Sequence, residues 1–271
     1  MEESSSMDLG LRDRACIVTG ASGGIGRAVA VSLAREGASV MLVGRRSDVL
    51  ADVARTCEAV GGRGEPFALD VTAPDAGERV ALVCVEHFGR VDALVNSAGT
   101  SAVRPHDELS DEEWQAQWEL HVMAPMRLMR AAAPAMADRG WGRIVNVCSS
   151  SGKRPSSTNM AYSVTKAAEL SLSRAFADIY ASRGVLVNSV SPGPIAGELW
   201  LAEGGLADQQ AAARGVGRDQ VLESVAARQP LGRLGTEQEI ADVVVFLCSE
   251  PASNVAGAAW SVDGGAVPVI I

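Results

Sequence analysis

Seven short apolar or β-branched runs recur along the chain: ACIVTG, SVMLVG, PFALDV, DALVNSAG, RIVNVCSS, VLVNSVSPG and AAWSVDGG. Longer stretches of helical pattern separate them. That spacing constrains the fold more than any other feature, because strands joined by helices pair in parallel through right-handed crossovers. Each run is almost continuously apolar, as a strand covered on both faces must be. The pattern predicts an α/β chain: a doubly wound, mainly parallel seven-stranded sheet with helices on both faces. A chain of 271 residues can close one such core. Neither a linker nor a repeat interrupts it, so a single domain is expected over 13–271. Residues 1–12 are expected to form a disordered tail, since MEESSSMDLG is acidic and serine-rich.

Composition removes several function classes. A formal charge of −9 disfavours nucleic acid or an anionic membrane as partner, since either calls for a basic face. No run approaches the roughly 18 apolar residues of a membrane span. The N-terminal stretch has no apolar centre of the kind a signal peptide needs. Cys16, Cys57, Cys84, Cys148 and Cys248 are odd in number and never in C-x-x-C spacing. Neither a disulfide framework nor a zinc site is therefore expected, and a reducing cytoplasm is. His87, His106 and His121 lack ligand-like spacing, so no metal is expected.

The first run opens into TGASGGIG, Thr19 to Gly26. Glycines there let the backbone turn tightly and approach a pyrophosphate, which the N-terminus of the next helix can hold. A glycine turn alone serves any tight β-α connection. Placed between the first strand and first helix of this sheet, it points to a dinucleotide and a Rossmann fold. The second run ends in VGRRS. A carboxylate at that strand end would favour the free ribose hydroxyls of NAD. Gly44 stands there instead, followed by Arg45 and Arg46, whose guanidinium groups suit a phosphate. NADP is the expected cofactor, with NAD possible.

One of the two tyrosines, Tyr162, stands one helical turn before Lys166 in the pentad YSVTK. Phenol and ammonium then share a helix face. Taken alone, the pentad reads as a half-buried tyrosine beside a solvated lysine. Thirteen residues earlier, Ser149 ends the fifth run, at the edge where doubly wound sheets gather ligands.

In order and spacing, TGASGGIG, NSAG (Asn96 to Gly99), Ser149, YSVTK, SPGPI (Ser191 to Ile195) and VDGG (Val262 to Gly265) resemble the short-chain dehydrogenase/reductase family. The match runs from about Arg14 to Gly265, and its C-terminal half is most similar to the 3-oxoacyl-carrier-protein reductase branch. The resemblance implies a hydride transfer between a nicotinamide cofactor and a ketone or secondary alcohol. It implies Tyr162 as general acid in reduction and general base in oxidation. Lys166 would be the cation beside it and would hold the nicotinamide ribose, while Ser149 would donate to the substrate oxygen. The same resemblance sets Gly20, Ser22, Gly23, Gly24, Ile25 and Gly26 around the cofactor. Arg45, Arg46, Asp70 and Val71 belong to its adenosine end. Asn96, Ala98 and Gly99 follow the fourth strand, and Pro192, Gly193 and Ile195 approach the nicotinamide. A homodimer, or a homotetramer with dihedral symmetry, is implied as well.

Three positions depart from the family pattern: His121 for an asparagine, Gly197 for a threonine, and Leu186 for an arginine. Pro125 bears on the first, because it has no N–H to give the carbonyl of residue 121. In the family that carbonyl holds a relay water, so His121 is kept among the catalytic candidates. Gly197 is expected to weaken the cofactor's hold. Residues 194–229 should form a substrate lid, and Leu199, Trp200 and Leu201 suggest an apolar ketone such as a 3-oxoacyl thioester, cyclic ketone or steroid. A helix over 111–138 opens on a capping box, Ser110 and Glu113, and carries Trp114, Trp118 and four methionines. Together with the helix over 160–182 it has more apolar surface than one sheet face needs, which predicts subunit contact. Two other classes compete. A nucleotide-sugar epimerase or dehydratase usually adds a substrate domain, and a non-catalytic NADP-binding sensor or scaffold does not need Ser149, Tyr162 and Lys166 together.

Overall fold

In a computed structural model describing residues 7–268, the seven runs form one sheet in which every pairing is parallel. Its strands are β1 (Ala15–Thr19), β2 (Ser39–Gly44), β3 (Arg63–Ala68), β4 (Ala93–Asn96), β5 (Gly142–Val147), β6 (Val185–Pro192) and β7 (Ala259–Val262). The spatial order is β3-β2-β1-β4-β5-β6-β7. The order reverses between β1 and β4, which opens a crevice at the carboxyl ends of those strands. Helices α1 (Gly24–Arg35), α2 (Ser47–Ala59) and α3 (Ala76–Phe88) join the first half. The second half holds α4 (Asp111–Trp118), α5 (Ala124–Asp138), α6 (Ser150–Lys153), α7 (Met160–Tyr180), α8 (Glu198–Leu201), α9 (Leu206–Arg214), α10 (Arg218–Ala226) and α11 (Glu237–Leu247).

Alternate residues of β1 serve two cores, as the period of a strand requires. Cys16 and Val18 join Leu33, Leu42 and Val244 on one face, while Ile17 joins Met41, Met129 and Ile144 on the other.

Four expectations need adjustment. The third strand begins at Arg63, three residues before the run PFALDV, and ends at Ala68. It is an edge strand with alternating exposure, so its polar start, Arg63 to Glu65, carries no run of buried side chains to betray it. Residues 9–12 are not part of a disordered tail: Leu11 is buried and Leu9 packs on the same core, while residues 1–6 lie outside those described. The helix over 111–138 is not continuous. Its capping box forms as expected, but a π-turn, Glu119–Met123, separates α4 from α5. Pro125 is the cause, since it cannot donate to residue 121 and the ladder lengthens instead, with the N–H of Ala124 reaching the carbonyl of Glu119. Of the apolar residues assigned to a surplus face, Met129 and Met136 are core. Trp118 remains exposed on α4, as do Met160, Val164 and Ile179 on α7. Among the described residues no helix is long and apolar enough to cross a membrane.

Candidate active site

A cavity of about 610 Å³ fills the crevice between the strand ends. Its floor is the glycine turn. Gly20 has φ +69° and Gly24 φ +55°, a region that side chains rarely enter. A Cβ at Gly20 would lie 2.9 Å from Ser97 O, and one at Gly26 2.3 Å from Gly20 O, so the turn, the helix start and the fourth strand are in backbone contact. Thr19 fastens them further. Its Oγ1 accepts the N–H groups of Ser97 (3.0 Å) and Ala98 (3.1 Å). No side chain caps the N-terminus of α1, which leaves its first N–H groups for a ligand.

At one end of the cavity lie Arg45 and Arg46. Arg46 Nη2 donates to Ser22 O (3.1 Å) and Ser22 Oγ (3.3 Å), and Nη1 stands 3.6 Å from Glu198 of α8. Asp70 and Val71 do not line the cavity. Asp70 instead takes the N–H (3.0 Å) and hydroxyl (2.8 Å) of Thr72, which hold its carboxyl below the ordinary range, with Arg45 adding to the effect. Asn96 also lies outside it. Its Nδ2 donates to Asn146 Oδ1 at 2.7 Å and clamps β4 to β5, as expected of a residue that steadies the central strands. Ala98 sits behind the wall, whereas Ser22, Gly23, Ile25, Gly99, Pro192, Gly193 and Ile195 line it.

At the other end Ser149, Tyr162 and Lys166 face one space. Ser149 caps α6, its Oγ accepting from Ser151 N at 3.0 Å. Because that oxygen is used there as an acceptor, its own proton is left for a ligand. Lys166 is not solvated, as the pentad alone would suggest, but 3% exposed. Its Nζ donates to Val147 O (2.9 Å) and Glu169 Oε2 (2.7 Å), and lies 5.9 Å from the centre of the Tyr162 ring. Breaking one side of such a buried pair costs about 3–5 kcal/mol.

His121 does not line the cavity; it is fully buried behind Tyr162, the two rings edge to face with centres 5.2 Å apart. Its Nε2 accepts from the N–H of Thr100 (3.3 Å). The proton therefore sits on Nδ1, which donates to Thr165 Oγ1 (3.1 Å), and that hydroxyl donates in turn to Tyr162 O (3.0 Å). Burial, and then the Lys166 cation, hold the imidazole well below the usual histidine range, so it is neutral. Gly99 completes this packing, since a Cβ there would lie 3.3 Å from His121 Nε2.

Several residues escaped the sequence reading. Glu169 had no motif to mark it. Ser101 and Asn159 bond to each other (Asn159 Nδ2 to Ser101 Oγ, 3.2 Å) on the cavity wall. Glu237 explains Gly197: a Cβ at 197 would lie 2.3 Å from Glu237 Oε1, so a carboxylate occupies the space of the missing side chain. Leu186 pairs in register with Arg143, which is itself buried, and an arginine at 186 would set a second guanidinium beside it.

A family model described as enoyl-(acyl carrier protein) reductase matches residues 20–267. An uncharacterized oxidoreductase of Bacillus subtilis, YvrD, is 35% identical over 268 residues, 96% of this chain and 99% of that protein. The 3-oxoacyl-[acyl-carrier-protein] reductase FabG of Escherichia coli is 35% identical over 249 residues, 92% of this chain and 95% of FabG. L-sorbose reductase from Gluconobacter frateurii, solved with NADPH and L-sorbose, superposes with a TM-score of 0.91 at 37% identity, covering 97% of this chain and all of that one.

Proposed function

Since the chain belongs to the short-chain dehydrogenase/reductase family, we propose that it reduces a ketone to a secondary alcohol with NADPH, or runs the reverse oxidation. The observation that carries this reading is the shared cavity, with a glycine turn and two arginines at one end and Ser149, Tyr162 and Lys166 at the other. The cradle fits a dinucleotide: it has uncapped N–H groups at α1, glycines where a Cβ would strike backbone, and guanidinium groups for the extra phosphate of NADP.

The nicotinamide would supply the hydride that reaches the carbonyl carbon. Ser149 Oγ donates to the substrate oxygen as negative charge develops on it. Tyr162 gives that oxygen its proton, and the Lys166 cation beside the ring stabilises the phenolate left behind. Leu199, Trp200 and Leu206 line the cavity together with the polar Ser101, Ser151 and Asn159. A ketone with one polar flank and one apolar face suits such a pocket. Following NADPH absorbance against a panel of ketoses, cyclic ketones, steroids and 3-oxoacyl thioesters tests this, and turnover of none of them would count against the reading. The exposed Trp118, Met160, Val164 and Ile179 support assembly into dimers or tetramers. A monomer at micromolar concentration in sedimentation of the same preparation would contradict that. The five free, buried cysteines fit a reducing cytoplasm.

The π-turn bears on His121. Both of its ring nitrogens are engaged and it is neutral, so we assign the proton relay to the backbone that Pro125 releases and not to the imidazole. His121→Asn should then leave kcat within a few-fold. Pro125→Ala should do more harm, because the restored N–H recaptures residue 121 and closes the π-turn. The opposite ranking, in kcat measured against pH, would assign the relay to the side chain.

A further inference from the structure

Glu169 stands almost one turn beyond Lys166 on α7 and is 1% exposed. A carboxylate is seldom sealed this far from water without a cation. Here its Oε2 takes Lys166 Nζ at 2.7 Å, and Val147 O takes another proton of the same ammonium at 2.9 Å. The helix turn that carries Glu169 is tied to the sheet as well. Ser173 Oγ donates to Glu169 O (2.7 Å), and Asn146 Nδ2 of β5 donates to Ser173 Oγ (2.7 Å). The titratable groups facing this pair are Tyr162 on α7, His121 from the π-turn and Cys148 after β5. Burial keeps the His121 ring neutral and pushes the Cys148 thiol far up, so neither brings a charge. Burial works against both charges, raising the Glu169 carboxyl and opposing the Lys166 ammonium, but the Glu169 carboxylate lifts Lys166 above the ordinary lysine range.

We infer that Glu169 is a positioning residue for the reaction, fixing where Lys166 sits and cancelling part of the positive charge that Lys166 presents to Tyr162. The inference rests on the roles proposed above for those two residues. A lysine countered by a carboxylate at 2.7 Å acts on a neighbouring phenol as a dipole, and a dipole's pull fades with distance faster than that of a bare charge. Glu169 thereby sets how strongly Lys166 favours the phenolate that reduction leaves behind.

The test is kcat/KM for reduction against pH in the unmodified enzyme, Glu169→Gln, Glu169→Asp and Tyr162→Phe. Reduction consumes a proton from its general acid, so kcat/KM should fall on the alkaline side. Glutamine keeps an acceptor for Nζ but no charge, so the full cation should move that alkaline limb down by about one pH unit. Aspartate is one methylene shorter and should give a smaller shift in the same direction. If Glu169 only packs, thermal stability drops while the limb stays in place, and the inference is overturned; an upward shift overturns it equally. Should the glutamine variant fail to fold, an unmoved limb in Glu169→Asp would overturn it alone. Tyr162→Phe separates the two readings. If that variant keeps its turnover and its limb, the proposed role of Tyr162 fails, whatever Glu169 does.

Discussion

Tyr162→Phe is expected to lower turnover by about 10²–10⁴-fold while NADPH still binds. That range corresponds to roughly 3–5 kcal/mol of lost transition-state stabilisation. The substitution removes one oxygen and leaves the ring, which stays edge to face on His121 at 5.2 Å. Lys166 keeps both of its anchors, Val147 O and Glu169, neither of which depends on the phenol. Folding and cofactor affinity should therefore change little, and the loss should fall on kcat. Stopped-flow binding of NADPH together with steady-state rates would check the split. A phenylalanine variant that turns over at close to the original rate would remove Tyr162 from the reaction.

The second large effect concerns the cofactor's phosphate. The unmodified protein should prefer NADPH to NADH by about 10–100-fold in kcat/KM, the worth of one or two hydrogen bonds to a charged group. Combining Gly44→Asp with Arg45→Ala should invert that ratio. The aspartate repels the phosphate and offers an acceptor to free ribose hydroxyls, while the alanine removes a phosphate contact. The site has room for it. A Cβ at residue 44 would stand 3.3 Å from Ser22 Oγ and 3.4 Å from Leu50 Cδ2, so only side-chain ends have to yield. Arg46 is left in place because it is tied to Ser22 and faces Glu198. Equal kcat/KM for both coenzymes before any substitution would refute the assignment.

How much of this was legible in the sequence differs from element to element, for physical reasons. Strands β1, β2, β4, β5 and β6 are buried along nearly their whole length, so each shows as an apolar run. Edge strand β3 carries no such run at its start, so its first three residues give no strand signal. The glycine turn was readable because its backbone approach tolerates no Cβ at Gly20 or Gly26, which makes the residue type obligatory. Tyr162 and Lys166 were readable because a helix face fixes their spacing. Glu169 is governed by the same helical geometry, but a glutamate one turn from a lysine is also an ordinary surface ion pair, and nothing local says that it is buried. The space at Gly197 is filled by Glu237, forty residues away, a relation that only the folded chain brings together. The break before α5 was half visible: Pro125 announced a lost hydrogen bond, but whether a helix answers with a kink or a wider turn depends on packing around His121.

The strand order has a kinetic side. β1 lies at the centre of the sheet, flanked by β2 and β4. Its first neighbour follows after one helix, but its second is not made until about 75 more residues have left the ribosome, which takes roughly 4–15 s at ordinary synthesis rates. For that interval a strand destined to be buried along its whole length keeps one edge of unmet N–H and C=O groups open to other chains. The reversal that creates the cofactor crevice thus also sets the nascent chain's longest wait. Slowed or crowded synthesis should lose this protein to aggregation before β4 arrives rather than after.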